Sequence, residues 1–527
     1  MCVRNIQMPE LHLGQKHLFL LIPLILSAYT HLWNPVGFPD FFLDEGVYLR
    51  RALHVLEGLG PQERDKYDHP YFGQLFLAFT YKIIGYPDSL NPKPGDAHSI
   101  EMLYLIPRVL IGLLAVLDTF LIYMIGDKLY GSKVGFVASL FFAIMPGTWV
   151  LRRILLDSLL LPFLLSSILF AVSIGKKKDK SEPIKAEKGI NLKNNLLTTL
   201  SGVFLGLAIF TKIPVFTMIP LIAYLLLRNS NYTGKRALLK ILGLWFMPVI
   251  LISAVWPIFA LAIGQFDLWK DGVFEQATRS NGGLVRVIDY FSRLDPVILI
   301  MGFLGLAYAA IRKELFTMIW IVPFLLFLYF INYGTYFYII PVLPAFCISA
   351  AWLVVDAPVW MSHKLGSPSL SKSTLASISI VVIIVGIGIT SNSMLLVLDA
   401  SRAQIQAEVY ADRYIMHNLT VISSPIYSWV PLYVFNHSQT LESFWDVPDG
   451  KVQYDFVLLL ADSHLRSAMK QKDLVNLWSL YNSTTLSTQF TSETKDYDTK
   501  KYPYTNLQAM REGASVDIRN GSYISLG

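Results

Sequence analysis

Charge is scarce in this chain. Asp, Glu, Lys and Arg make up 16% of its 527 residues, whereas soluble domains carry about 25%, so the sequence is not built for water alone. Cysteine is nearly absent. Two residues, Cys2 and Cys347, exclude a disulfide framework and a cysteine-based metal centre. Neither a GxGxxG nor a GxxxxGK loop occurs. Such loops cradle nucleotide phosphates, so a nucleotide-sugar donor and ATP-driven transport are both poorly supported. The net charge of +6 comes from basic residues lying between apolar runs, as in cytoplasmic loops. It does not indicate nucleic-acid binding.

What the chain does have is apolar length. It is 54% hydrophobic, with 11 Trp and 27 Tyr, a composition suited to spans and interfacial aromatic belts. Runs of roughly 17–25 apolar residues are long enough to cross a bilayer. They fall near 17–33, 103–126, 134–151, 157–174, 195–211, 214–228, 237–262, 296–311, 315–331, 336–355 and 374–397. The first lacks an A-x-A exit and reads as a retained span. Pro214 divides the 195–228 stretch in two. The expectation is an all-α polytopic membrane protein of about eleven helices.

Lys and Arg concentrate in 175–194, 228–236, 312–314 and 356–373, which places the N-terminus in the cytoplasm. The segments 34–102 and 263–295, and everything after about 398, then lie outside. The expected division is a membrane domain over 1–398 and a soluble α/β domain over 399–527, where a strand-like run at 452–460 precedes a helical pattern at 463–480. That tail holds Asn-x-Ser/Thr triplets at Asn418, Asn436, Asn482 and Asn520. Asn231 begins another on the cytoplasmic side.

The stretch 38–73 carries charge beside membrane segments, which is costly unless it serves a site. It opens on Asp44-Glu45. From there Leu49, Ala52, Leu53 and Leu56 fall at helical spacing, predicting a helix on the membrane surface with Asp44, Tyr48 and Arg51 on another face. Asp44 reads either as a helix cap or as a functional acid. Glu45 reads as a solvated first-turn acid favoured by the helix dipole. His69, in Asp68-His69-Pro70, is either a turn residue or a phosphate or metal contact. Arg152-Arg153 lies where the charge rule disfavours paired arginines, so an anionic ligand is one compensation; an Arg153–Asp157 helix pair is the other. Lys212 is a snorkelling cation or a ligand contact. Tyr333, Tyr336 and Tyr338 fit an aromatic belt. The loop after Gln265 brings Arg279, Arg286 and Arg293, of which one could meet a phosphate.

In order, the acidic pair, the DHPYFG corner, Arg108 in IPRVLIGLL, RRILLDSLLLPF, GLAIFTK and YFYIIPVLPA resemble the protein O-mannosyltransferase and lipid A aminoarabinose transferase superfamily (glycosyltransferase family 39-like). Its members are integral-membrane glycosyltransferases of the GT-C fold. RRILLDSLL is similar to the mannosyltransferase pattern R-F-x-L-L-D-x-x-L. The resemblance covers about 17–355. It implies Asp44 as catalytic base, with Glu45 beside it. It implies Tyr48, His69, Arg108, Arg153, Asp157, Lys212, Tyr336 and Tyr338 as residues lining the donor-phosphate and substrate site. Tyr71 replaces the second proline of the corner, and Val47 and Gly334-Thr335 stand where basic residues occur in relatives. These departures weaken the aminoarabinose branch. The short 263–295 loop implies a prokaryotic-type enzyme of the cell membrane.

The activity implied is transfer of a mannose-like hexose, with inversion, from a polyprenyl- or dolichyl-phosphate to an extracytoplasmic hydroxyl on protein, glycan or lipid. No cofactor is certain, and a divalent cation near the acids is left open. A GT-C transferase acting on glycolipid or cell-wall glycan is an alternative within the class. A lipid-linked sugar flippase is the alternative outside it, although no paired broken halves of the transporter type are present.

Overall fold

The computed structural model describes residues 13–63, 66–174, 192–229, 235–364, 370–415, 419–437, 440–441, 455–461, 475–492 and 515–521. The basic segment 175–191 lies outside the described residues. So do Asn231, Asn418 and much of the helical pattern expected at 463–480.

Each apolar run forms helix. The helices are α1 (Leu13–Leu32), α2 (Leu43–Leu56), α3 (Phe72–Ile84), α4 (Ala97–Tyr130), α5 (Ser132–Ile144), α6 (Leu156–Ser173), α7 (Leu192–Thr211), α8 (Ile219–Asn229), α9 (Lys235–Ser253), α10 (Val255–Ala262), α11 (Phe266–Thr278), α12 (Gly283–Leu294), α13 (Pro296–Arg312), α14 (Leu315–Ile331), α15 (Leu343–Lys364), α16 (Leu370–Leu396) and α17 (Arg402–Tyr414). Among the described residues, six helical segments are long and apolar enough to cross a membrane, and α5 with the 3-10 turn Pro146–Arg152, bent by 66°, makes a seventh if the pair is one broken span. Shorter apolar helices at 19–32, 213–229, 296–312 and 315–331 match the remaining expected spans. The body from α1 to α16 is therefore all-α and polytopic, as expected of a membrane protein.

Proline sets the breaks. α7 ends at Thr211, Lys212 is extended, and Pro214 opens a 3-10 turn, Ile213–Met218. Pro146 does the same after α5, and the 3-10 turn Tyr336–Val342 precedes α15. These breaks leave loop-like backbone at span ends, where charged side chains can be held. Between α4 and α5 the helices meet at glycine: a Cβ on Gly126 would lie 2.7 Å from Gly135 Cα.

Two features differ from the sequence expectation. The helix α3 sits inside what read as a loop; it is apolar, and Phe79 and Ile83 are exposed. The helix α2 does not lie on a surface with one face covered. Gly46, Tyr48, Leu49, Arg50, Arg51, Ala52 and Leu53 are all buried, because α3 packs on one side and the segment after 420 on another. A Cβ on Gly46 would meet the Pro425 carbonyl oxygen.

Beyond α17 the chain forms a five-stranded sheet in the order β2-β1-β3-β5-β4, from β1 (Thr420–Ile422), β2 (Thr440–Leu441), β3 (Phe456–Ala461), β4 (Thr484–Thr491) and β5 (Ser515–Gly521). Strands β2, β1 and β3 run parallel; β5 is antiparallel to β3 and to β4. Two short helices, α18 (Pro425–Trp429) and α19 (Val475–Asn482), accompany it. The α18 region is stitched to the helical body. Tyr104 Oη donates to the Ile426 carbonyl at 2.5 Å, and Trp429 Nε1 donates to Tyr104 Oη at 2.8 Å.

Candidate active site

Three buried arginines hold the loop between α1 and α2. Arg152, on the 3-10 turn after α5, donates to the carbonyls of Thr30, Trp33 and Asn34 at 2.5–2.8 Å. It thereby caps the last turn of α1, whose carbonyls have no helical partners. Arg108, inside α4, donates to Pro35 O, Pro39 O and Asp40 O at 2.6–3.0 Å and reaches Glu45 with Nε and Nη2 at 3.0 and 2.6 Å. Arg153 donates to Asp40 O at 2.9 Å and to Asp40 Oδ1 at 2.8 Å.

The carboxylates complete the frame. Glu45 is fully buried. It accepts from Phe42 N (2.9 Å) and Ile154 N (3.0 Å) as well as from Arg108. Its Oε2 lies 3.9 Å from Arg153 Nη1. The solvated first-turn acid expected at Glu45 is thus a buried link between α2, α4 and the start of α6. Sequence reasoning passed over Asp40, the remaining member of this quartet, because nothing local marks it. Its partner Arg153 is 113 residues away. Arg153 and Asp157 do not pair with each other, so the helix-pair reading does not describe the arginine's contacts.

Asp157 pairs across the bundle with Lys212, Oδ2 to Nζ at 2.5 Å. The ammonium also lies 4.3 Å from the ring centre of Tyr338 and 4.9 Å from that of Phe337. Asp157, Lys212 and Tyr338 line a narrow cavity of about 10 Å3, whose other walls are apolar: Leu160, Pro214, Val215, Phe324, Phe327, Leu328 and Pro341. It sets a cation and a carboxylate at the edge of apolar walls. Tyr336 stands apart, against Phe42 and Trp149.

Asp44, in the first turn of α2, feels the charges of Lys212 and Asp157. It is half-buried, and no hydrogen bond contributes to its ionisation. Burial pushes its pKa up to about 6; the charges of Lys212 and Arg51 pull it down, and those of Asp68 and Asp157 push it up. The same three carboxylates, together with burial, hold the Tyr48 hydroxyl well above its ordinary value. Burial opposes ionisation of Asp68, but the Arg51 guanidinium, 2.8 Å away, outweighs it and holds the carboxyl at about 2. His69 is lowered to about 3, first by burial and then by the positive charges of Lys212, Arg51 and Arg279, against the opposing pull of Asp68. It is a neutral imidazole at physiological pH. Of the three loop arginines, Arg279 is the one whose charge His69 feels, whereas Arg293 pairs with Asp289 and Arg286 with the Tyr290 hydroxyl. Arg51 also binds Glu63 at 3.1 Å, which ties the 61–69 corner to α2.

The arrangement therefore has an outer layer and an inner one. Asp157, Lys212 and Tyr338 line the cavity, and Asp44, Tyr48 and His69 lie within electrostatic reach of Lys212 or Asp157. Glu45, Arg108 and Arg153 lie beneath, with Asp40, and fix the backbone that presents Asp44. Among the described residues, no group of three or more His, Cys, Asp or Glu could hold a metal ion.

A family model described as dolichyl-phosphate-mannose-protein mannosyltransferase matches residues 62–269. No curated protein sequence matches. Among solved structures, ArnT from Cupriavidus metallidurans bound to undecaprenyl phosphate superposes with a TM-score of 0.55 at 13% identity, covering 96% of this chain and 98% of that one. Its apo state gives 0.52 at 14% identity over the same shares. The apo oligosaccharyltransferase of Archaeoglobus fulgidus gives 0.53 at 12% identity, covering 92% of this chain and 75% of that one. The chain shares the GT-C fold of these membrane glycosyltransferases, and the family model and the solved structures both agree with the superfamily the motifs suggested. In this fold the acid pair, the arginine-rich turn and the lysine break are the pieces brought to one end of the bundle.

Proposed function

We propose that the chain moves a single sugar, mannose-like, from a polyprenyl- or dolichyl-phosphate to an extracytoplasmic hydroxyl, with inversion at the anomeric carbon. The observation that carries this reading is Asp44. It is a half-buried carboxylate within electrostatic reach of Lys212 and Asp157, which line a narrow cavity with apolar walls. A hydroxyl is a weak nucleophile and needs a base within reach. Asp44, with a pKa of about 6, is ionised at neutral pH and takes that proton as the acceptor oxygen attacks. The C1–O bond to phosphate breaks, and the lipid phosphate leaves as an anion that needs no proton from the protein.

Lys212 faces the departing charge and stabilises it, acting in a site where water is displaced and electrostatic contacts are strong. Neutral His69 can donate an N–H to the same group without adding charge. Arg279 is the loop cation nearest in effect. The lipid tail lies along Leu160, Val215, Phe324 and Phe327. Support for a lipid-phosphate ligand comes from the matched fold, since a relative of that fold is known bound to undecaprenyl phosphate. Support for mannose and for a protein acceptor comes from the family description. Among the described residues no group of three or more His, Cys, Asp or Glu could hold a metal ion, so no step is routed through a metal. The tail beyond residue 398 and the loop 263–295 face the extracytoplasmic side, and the N-terminus the cytoplasm.

The test is Asp44→Asn in purified protein, with binding of a radiolabelled lipid-phosphate mannose and transfer to a hydroxyl acceptor measured separately. Retained binding with transfer lowered by a factor of about 10² to 10⁴ supports the base. Transfer at the wild-type rate ends it.

A further inference from the structure

Four of the six asparagines in 399–527 begin an Asn-x-Ser/Thr triplet, against one of the eleven before residue 399. Ser and Thr make up 24 of those 129 tail residues, so chance would supply about one. One triplet, Asn482-Ser483-Thr484, lies wholly among the described residues. Asn482 is the last residue of α19 and is exposed. Four residues before it, on the same helix face, stands Trp478, 36% exposed. Its indole is stacked on Tyr481, ring centres 5.6 Å apart and planes 15° apart, and Arg519 lies 3.9 Å over Tyr481 from β5. The result is a rigid aromatic shelf with an uncovered face beside an acceptor amide.

We propose that Asn482 carries an N-linked glycan whose first sugar lies on the face of Trp478. The inference rests on the outward placement of the tail given above. The donor is a lipid-phosphate- or lipid-pyrophosphate-linked glycan, and a separate oligosaccharyltransferase performs the step. A bond forms between Asn482 Nδ2 and C1 of the reducing sugar, the C1–O bond to phosphate breaks, the lipid phosphate leaves as an anion and the amide gives up one proton. In the folded chain the Thr484 hydroxyl is buried, donating to Tyr481 O and accepting from Arg519 Nε, both at 2.8 Å. That hydroxyl is part of the acceptor signature, so the glycan is added before β4 closes against β5.

The experiment uses the full chain from a host with an active oligosaccharyltransferase. Mass spectrometry of the peptide spanning 475–491 should show most Asn482 with a glycan mass, absent in Asn482→Gln. A peptide wholly unmodified at Asn482 overturns the proposal. Asn482→Cys, probed on intact cells with a membrane-impermeant maleimide, separates the causes. Labelling without a glycan in the wild type defeats only the modification, whereas no labelling defeats the outward placement as well. Enzymatic glycan removal should lower Tm in the wild type and leave Trp478→Ala unmoved; equal shifts in both overturn the stacking.

Discussion

Arg153 can be asked which job it has. If it frames the loop, Arg153→Met should cost stability and leave donor affinity alone. The side chain is fully buried, with Asp40 Oδ1 at 2.8 Å, Asp40 O at 2.9 Å and Glu45 Oε2 at 3.9 Å. Removing one partner of a buried ion pair leaves an uncompensated charge and costs about 3–5 kcal/mol. Asp40→Asn alone should cost less, since the amide oxygen still accepts from Arg153, and the double variant should recover about 1–3 kcal/mol of the Arg153→Met loss. Glu45 remains served by Arg108 and two backbone amides, which limits the damage to the Asp40 side. The assay is unfolding of detergent-solubilised protein for all four species, with binding of a non-transferable lipid-phosphate analogue to the folded fraction. Transfer should fall with stability, because Asp44 is presented by the backbone these contacts fix. Wild-type stability in Arg153→Met together with a tenfold loss of analogue affinity would show that the guanidinium meets the donor and would refute the framework role.

Lys212→Ala should weaken analogue binding at least tenfold, about 1.4 kcal/mol, with Lys212→Arg retaining part of it; unchanged affinity removes the lysine from the phosphate. Transfer should rise with pH through about 6 and level off above, because Asp44 must be ionised to act and its pKa lies there; a flat profile from pH 5 to 7, or one unchanged in Asp44→Asn, argues against it. Stability has the opposite sign at this residue: its folded pKa lies above the ordinary 3.8, so its favourable contribution is complete below about 4 and is lost as pH rises through 6. Asp68, held at about 2, contributes above about 4 and loses that contribution as pH falls toward 2. Gly46→Ala should loosen α2 from the 425–435 segment, since the new Cβ would coincide with the Pro425 carbonyl; limited proteolysis should release the tail, and wild-type resistance would show that the two elements move apart without cost.

The polypeptide alone determined the number and order of the spans, because run length and proline placement act locally: Pro214 opens a 3-10 turn just after α7 whatever surrounds it. Sequence also set which charges stand at span ends, and the order of motifs named the superfamily. What it did not determine was which acid each base would meet. Asp157 and Arg153 are four residues apart and ignore each other, while Lys212 arrives from 55 residues away and Asp40 from 113. Adjacent residues likewise part company. Asp44 is half-buried and Glu45 fully buried, because successive positions on a helix differ by about 100° and only packing by α4 and α6 decides which direction is buried. The apolar helix α3 escaped notice for a related reason: 13 residues are too few to read as a span, and only its packing on α2 and α7 makes it part of the body. Local chemistry wrote the elements, and the charges found their partners only when the helices closed around them.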